Sequence, residues 1–347
     1  MLRFFALLAA FFISISANDS VYANQLRINV APLSKVDRLI EAPVRIALSG
    51  VIDADSPRRL QSTLSQIQAP WIAVYLDSPG GDLSAGLKIG RILRERQATV
   101  TVGKMTEAYR PAPGNCYSAC AFAFLGGNYR YVPEGSTYGV HLASTLAPKS
   151  TDLAVGQIIA ASIGAYIREM GVDPELLDLT VKADPSSIYH LSKLELERLR
   201  VTNNGRKPPV WTIEVVAGGT YLLGAQETLY GTGRMSIYCA SPRFFMISSY
   251  TAAEKSQDIA NGGWVHSLFL DRNLAVLPDP SRISAKDGIV QSQFELTSSV
   301  IRQMIGLESV GHAMQLHRTA PSFVGYRISV DLASRDRFDT FLGNCLR

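Results

Sequence analysis

The sequence predicts an α/β domain, with helices packed on a largely parallel sheet, followed by a smaller α+β domain. Three observations carry this prediction. From Val44 onward, short apolar strand-like runs alternate with helix-like stretches. A glycine turn joins one of these strands directly to a helix. The pattern then changes after residues 203–209, where one glycine and two adjacent prolines suit a linker, placed at 204–209. With 347 residues, 47% hydrophobic and 18% charged, the chain has the composition of folded domains rather than of a disordered one, and it is long enough for two.

The N-terminus has its own signature. Arg3 precedes an apolar run over 4–13, and Val21-Tyr22-Ala23 ends in a small residue, as a secretory signal over 1–23 cut after Ala23 would. The apolar core, about a dozen residues, falls short of the ~20 that a membrane span needs. An exported chain, periplasmic or secreted, is therefore expected, and its first domain occupies 24–203.

Within that domain, 44–50 reads as a strand, 56–67 as a helix with Ser56 at its N-cap, and 71–76 as a buried strand. Asp77-Ser78-Pro79-Gly80-Gly81-Asp82 is a turn, and 83–96 is a helix with Leu83, Leu87, Gly90 and Leu93 on one face. With the next strand at 98–103, these segments form a βαβ unit. A loop containing Pro111 and Pro113 leads to "GNCYSACAFAFLGG" at 114–127, where Ser118 stands between two cysteines at the entrance of a wholly apolar helix. Short strands follow at 129–132 and 138–142, then a helix at 152–170. In the second domain, 210–347, strands are expected at 235–239, 243–250, 265–270 and 325–330, and helices at 298–305 and 335–342.

Charge and cysteine usage exclude some functions. The net charge is +4, but Lys and Arg are scattered with no run of five or six, so no nucleic-acid partner is expected. The four cysteines fall into two groups, Cys116 with Cys120 and Cys239 with Cys345. Sequence allows three connectivities, of which pairing within each group is the most economical in an exported chain. Neither group has the spacing of a zinc ribbon, and His312 and His317, five apart, do not stack as i and i+4 on a helix. No metal and no organic cofactor is expected. Arg335-Asp336-Arg337 reads as a solvated helix start with local ion pairs.

A hydrolytic serine needs a base, a group that orients the base, and backbone N–H groups aimed at the developing oxyanion. Ser118, where a loop enters a helix, can expose its hydroxyl, and it puts the Ala119 N–H at a helix start. Gly80 and Gly81 end a buried strand and let backbone N–H groups approach a substrate that a Cβ would block. Ligands of open α/β sheets gather at the C-terminal strand ends, where both features fall. His141, on a short apolar strand, can return to the same edge. For a single histidine the competing reading is a half-buried structural one, and His190, just before Ser192, reads better as a strand end.

The order "YLDSPGGDLSAGLKIGRIL", "CYSACAFAFLGG", "YGVHLAS", a long helix and "SIYHLSKLELERLRV" resembles the proteolytic subunit of the Clp protease and its relatives in the ClpP/crotonase-like superfamily. The resemblance covers about residues 44–202 and leaves out the second domain. It implies Ser118 as nucleophile, His141 as base, Gly81 and Ala119 as oxyanion donors, and Asp184 as the acid. Three departures stand out: Cys120 replaces a small residue, the loop before Ser118 is longer around 106–113, and Asp184 lies further from Ser192 than the motif has it. Asp173 and Asp178 remain alternatives for the acid. Related membrane-linked peptidases use a Ser-Lys dyad, for which Lys104 and Lys182 are the candidates; the crotonase branch binds acyl-CoA, which export disfavours.

The resemblance thus implies a serine hydrolase, a peptidase acting on peptide or protein substrates by acyl transfer and able to form homo-oligomers, and the export expected from the N-terminus makes an ATPase partner unexpected. The alternative is a non-catalytic binding or scaffold protein on the same fold. A Cys116–Cys120 disulfide would either brace the nucleophile or shut it away.

Overall fold

The structure is a computed structural model that describes residues 25–39, 41–141, 152–182, 187–240 and 242–347. The expected signal peptide, with its cut after Ala23, and Asp184 lie outside the described residues. Contacts divide the chain into two units, which meet in sequence at Asn204 and Gly205.

In the first unit the apolar runs become parallel strands because both faces of the sheet are covered. The elements are β1 (Arg27–Val30), α1 (Lys35–Leu39), β2 (Val44–Ser49), α2 (Ser56–Ser65), β3 (Ile72–Asp77), α3 (Leu83–Glu95), β4 (Thr99–Val102), β5 (Lys104–Met105), β6 (Pro111–Ala112), β7 (Asn115–Tyr117), α4 (Ala119–Leu125), β8 (Tyr129–Tyr131), β9 (Thr137–Val140), α5 (Asp152–Glu169), α6 (Glu175–Lys182), β10 (Tyr189–His190) and α7 (Lys193–Arg198). The main sheet has the order β1-β2-β3-β4-β8, with β1 antiparallel and the others parallel. Ile46, Val74 and Val100 are register neighbours across it and wholly buried. A second sheet, β10-β9-β7, pairs β7 with β9 in parallel.

Two local expectations change. Ser56 is the first helical residue of α2 rather than its cap: its hydroxyl donates to Asp53 Oδ2 at 2.9 Å and accepts from the Asp53 N–H at 3.0 Å, and Asp55 stands at the cap. On α3, the buried stripe is Ala85, Gly86, Ile89, Gly90 and Leu93, with Leu83 and Leu87 only half-buried beside it. The smallest side chains form the face because α4 packs there at close range. The Asp82 carboxylate caps α3 by accepting from the Ala85 N–H at 2.7 Å.

Every residue of α4 is buried, so its terminal carbonyls need partners from within the unit. Arg94 donates to the carbonyls of Leu125, Gly126 and Gly127, and buried Arg130 donates to those of Leu125, Gly127, Arg200 and Val201. Burial, and secondarily the Arg94 charge, pulls Arg130 down to about 10.

The second unit is more β-rich than expected. Its elements are β11 (Val210–Val216), β12 (Gly219–Thr228), β13 (Gly231–Ala240), β14 (Arg243–Thr251), α8 (Ser256–Asn261), β15 (Val265–Leu270), β16 (Asn273–Val276), β17 (Arg282–Lys286), β18 (Ile289–Leu296), α9 (Ser298–Met304), β19 (Ser309–Gln315), β20 (Val324–Ser329) and α10 (Leu332–Cys345). They form a six-stranded antiparallel sheet, β11-β12-β13-β14-β18-β17, and a four-stranded one, β16-β15-β19-β20. Trp211, Leu222, Met235, Met246 and Phe294 share a core with Leu268, Val310, Ile328, Phe338 and Leu342. The expected linker at 204–209 is not free chain: Arg206 bridges Thr228, and the Lys207 N–H donates to the Glu227 carbonyl at 2.8 Å. Its prolines are tolerated because they follow these contacts at the edge of the sheet.

Candidate active site

Ser118 is the single residue between the end of β7 and the start of α4, and its backbone bears the turn. It has φ 58° and ψ −124°, a region that residues with a Cβ rarely enter. Both flanks are anchored. On the strand side, the Ser78 N–H donates to the Asn115 carbonyl at 2.7 Å and the Tyr117 N–H to the Ser78 carbonyl at 3.1 Å. On the helix side, the apolar side chains of α4 fill the core. The Ser118 N–H donates to the Gly139 carbonyl at 3.2 Å, and the Ala121 N–H donates to the Ser118 carbonyl at 2.9 Å. Such a strand-to-helix elbow lifts a serine hydroxyl out of the backbone and over a cleft.

The glycine turn lies directly against this elbow. A Cβ on Gly80 would stand 2.7 Å from the Ser118 Cβ and from the Tyr117 carbonyl oxygen. A Cβ on Gly81, whose φ is 138°, would stand 2.1 Å from the Ile52 carbonyl oxygen. Both positions therefore require glycine. The turn is pinned by Ser78, whose buried hydroxyl accepts from the Gly80 N–H at 3.1 Å. The neighbouring Ile52 accepts from the Asp82 N–H and donates to the Gly80 carbonyl, both at 2.8 Å. Among the described residues, the N–H groups of Gly81 and Ala119 carry no hydrogen bond. One follows Ser118 directly in the chain and the other belongs to the turn packed against it, and unengaged donors of this kind are what an oxyanion hole requires.

His141 immediately follows β9, whose parallel register sets Tyr117 opposite Gly139. Ser118 and His141 thus leave adjacent parallel strands, about 4.8 Å apart, at the same edge. His141 is half-buried, and among the described residues its buried Nδ1 meets no hydrogen-bond partner; no hydrogen bond joins it to Ser118. The alternative acids are engaged elsewhere or turned outward. Asp173 Oδ1 accepts from the Glu175 N–H at 2.9 Å, and Asp178 is exposed on α6.

Of the dyad candidates, Lys104 is exposed in the short β5–β6 pair, and the Lys182 side chain falls outside what is described. His190 packs its ring edge-on to Tyr117, with centroids 5.2 Å apart, at the end of β10. His312 lies in β19, away from any metal-ligating cluster, of which there is none among the described residues.

Cys116 and Cys120 form a disulfide that brackets Ser118, with Cα atoms 5.2 Å apart, and Cys239 and Cys345 form a second one joining β13 to α10. Sequence reasoning did not find three contributors: Ser78, which fixes the glycine turn, and Arg94 with Arg130, which hold the far end of α4. Ser78 was visible inside the turn motif; nothing in the sequence marked the arginines. No helix among the described residues is long and apolar enough to cross a membrane.

No protein-family model and no curated sequence matches the chain. Solved structures that resemble it include a membrane-bound stomatin-specific protease, at 18% identity and TM-score 0.35, covering 45% of this chain and 75% of that one. Another is ClpP1 from Listeria monocytogenes, at 17% identity and TM-score 0.37, covering 48% of this chain and 93% of that one. At these TM-scores the likeness carries no argument for the site, which rests on its own geometry.

Proposed function

We propose that this chain is an exported, ClpP-like serine hydrolase of the peptidase type. The observation that carries the reading is the Ser118 elbow: a non-glycine residue at φ 58°, with two unengaged N–H groups beside it and a histidine at the same sheet edge. Ser118 Oγ attacks the substrate carbonyl carbon as His141 takes the hydroxyl proton. The carbonyl oxygen, now negative, accepts hydrogen bonds from the Gly81 and Ala119 N–H groups. His141 returns the proton to the leaving amine, and water then hydrolyses the acyl-serine by the same steps in reverse order.

Asp184 is assigned to accept a hydrogen bond from the His141 Nδ1–H and so fix the ring. Among the described residues neither Asp173, whose Oδ1 accepts from the Glu175 N–H, nor exposed Asp178 bonds the His141 Nδ1, so the assignment to Asp184 rests on the motif. The substrates are peptides or flexible segments of proteins, and the two disulfides suit an oxidising compartment. A homo-oligomer is compatible with this reading, and an ATPase partner is not invoked.

A fluorophosphonate probe tests the proposal: labelling is expected in the wild type, absent in Ser118→Ala and reduced at least ~100-fold in His141→Ala. A well-folded wild type that resists the probe would support the second reading, a non-catalytic binding or scaffold protein. That reading draws on the absence of a Ser118–His141 hydrogen bond among the described residues.

A further inference from the structure

We propose that the Cys116–Cys120 disulfide is the positioning element of the site, so that Ser118 is assembled as a nucleophile only once this thiol pair is oxidised. What Ser118 then does rests on the hydrolase reading; that the disulfide sets its backbone does not. The Cα atoms of Cys116 and Cys120 are 5.2 Å apart, whereas an extended chain would separate residues four apart by about 13–14 Å. The chain must therefore reverse within the three residues between them. Tyr117 is committed to β7 and Ala119 to α4, so the reversal falls on Ser118. Ser118 is also where the chain resists it, since a Cβ disfavours that φ and ψ.

Reduction would undo this at one point. Both cysteines are 0% exposed in a packed core. Two thiol sulfurs must keep van der Waals separation where a bond now joins them, and a close-packed interior has no slack to receive them. The anchored strand and helix hold, and the elbow between them relaxes at its disfavoured residue. Closure transfers two electrons and two protons from the thiols to a small-disulfide oxidant such as oxidised glutathione, which leaves as two thiols.

Because the pair is buried, exchange with small thiols and disulfides is slow in both directions once the unit has folded, so closure belongs to folding, and thiol reagents reach Cys239–Cys345, where Cys239 is partly exposed, before they reach Cys116–Cys120. A copy held in reducing surroundings would fold with a relaxed, unreactive serine. The arrangement would confine hydrolysis to the oxidising side of the export step.

The test uses the full chain and two readouts. The first is the thermal midpoint of Ser118→Gly, alone and on a Cys116→Ala/Cys120→Ala background. Glycine accepts positive φ, so a rise of several degrees is expected with the disulfide present and none without it. Equal rises in both backgrounds would overturn the proposal, whether or not the protein is a hydrolase.

The second readout is fluorophosphonate labelling of Ser118, expected to fall more than ~10-fold in the Cys116→Ala/Cys120→Ala variant and to stay within about twofold in Cys239→Ala/Cys345→Ala. Should the first pair fail to fold, stepwise reduction of the wild type with mass mapping decides. Labelling lost together with the Cys116–Cys120 bond supports the proposal, and labelling that survives its reduction overturns it. A wild type that never labels counts against the hydrolase reading, while the glycine comparison still judges the disulfide.

Discussion

Ser118 holds a backbone conformation whose cost for a residue with a Cβ is about 1–3 kcal/mol, and the Cys116–Cys120 disulfide and the anchored flanks hold it against the glycine turn. Gly80 and Gly81 make that packing possible. Gly81→Ala places a Cβ 2.1 Å from the Ile52 carbonyl oxygen and at an unfavourable φ, so the turn must move and take its N–H with it. Peptidase or esterase turnover should fall ~100-fold or more in kcat, the scale of losing one oxyanion donor, with a smaller change in KM. The acid can be identified in the same assay. Asp184→Asn should lower kcat by roughly 10³–10⁴-fold, the scale for losing a triad acid, while Asp173→Asn and Asp178→Asn should stay within severalfold of wild type. A larger loss at Asp173 would move the assignment there.

At the scale of elements, α4 is the part whose placement matters most. Its N-terminus follows Ser118 with the Ala119 N–H unengaged among the described residues, and Arg94 and Arg130 neutralise its C-terminal carbonyls, which favours the orientation electrostatically. Replacing Arg130 with leucine would remove the side-chain donor to the Arg200 and Val201 carbonyls in a buried setting and leave Leu125 and Gly127 with Arg94 alone. A loss of about 2–4 kcal/mol is expected in chemical denaturation, with Arg130→Lys recovering only part because one ammonium cannot span the same fork. The strands, the glycine turn and α4 were legible in the sequence because local apolar runs and turn residues specify them. The buried stripe of α3 was legible in part: Gly90 and Leu93 lie in it as expected, while close packing against α4 sets Ala85 and Gly86 there with Ile89 in place of Leu83 and Leu87. The strands at 210–228, 282–296 and 309–315 were missed. Buried Gln226, Ser292, His312 and Gln315 break their apolar alternation, and their partners lie far away in sequence.

At the scale of the whole molecule, the second unit carries a polar chain in its core that is coupled to pH. His312 Nδ1 shares a hydrogen bond of 2.7 Å with Ser248 Oγ, His312 Nε2 lies 3.0 Å from His266 Nδ1, and Tyr326 donates to Ser248 Oγ at 2.8 Å. Burial first, and the neighbouring His266 second, push His312 down to about 3; burial lowers His266 as well. The folded unit keeps both rings neutral, so below the unfolded value near 6.5 the unfolded chain binds more protons than the folded one. Stability from this source is complete above about pH 6.5, falls as pH drops, and stops falling only below about 3. Thermal midpoints measured across that window should decline in the wild type and decline less steeply in His312→Asn; parallel slopes would show that the pair does not titrate with folding.

The central claim concerns the first unit, and one measurement addresses it directly: the crystal structure of the fluorophosphonate-treated protein. The account predicts a phosphonyl group bonded to Ser118 Oγ, its oxygen accepting hydrogen bonds from the Gly81 and Ala119 N–H groups, with His141 beside the ester oxygen. An adduct on another residue, or a phosphonyl oxygen turned away from both donors, would contradict it.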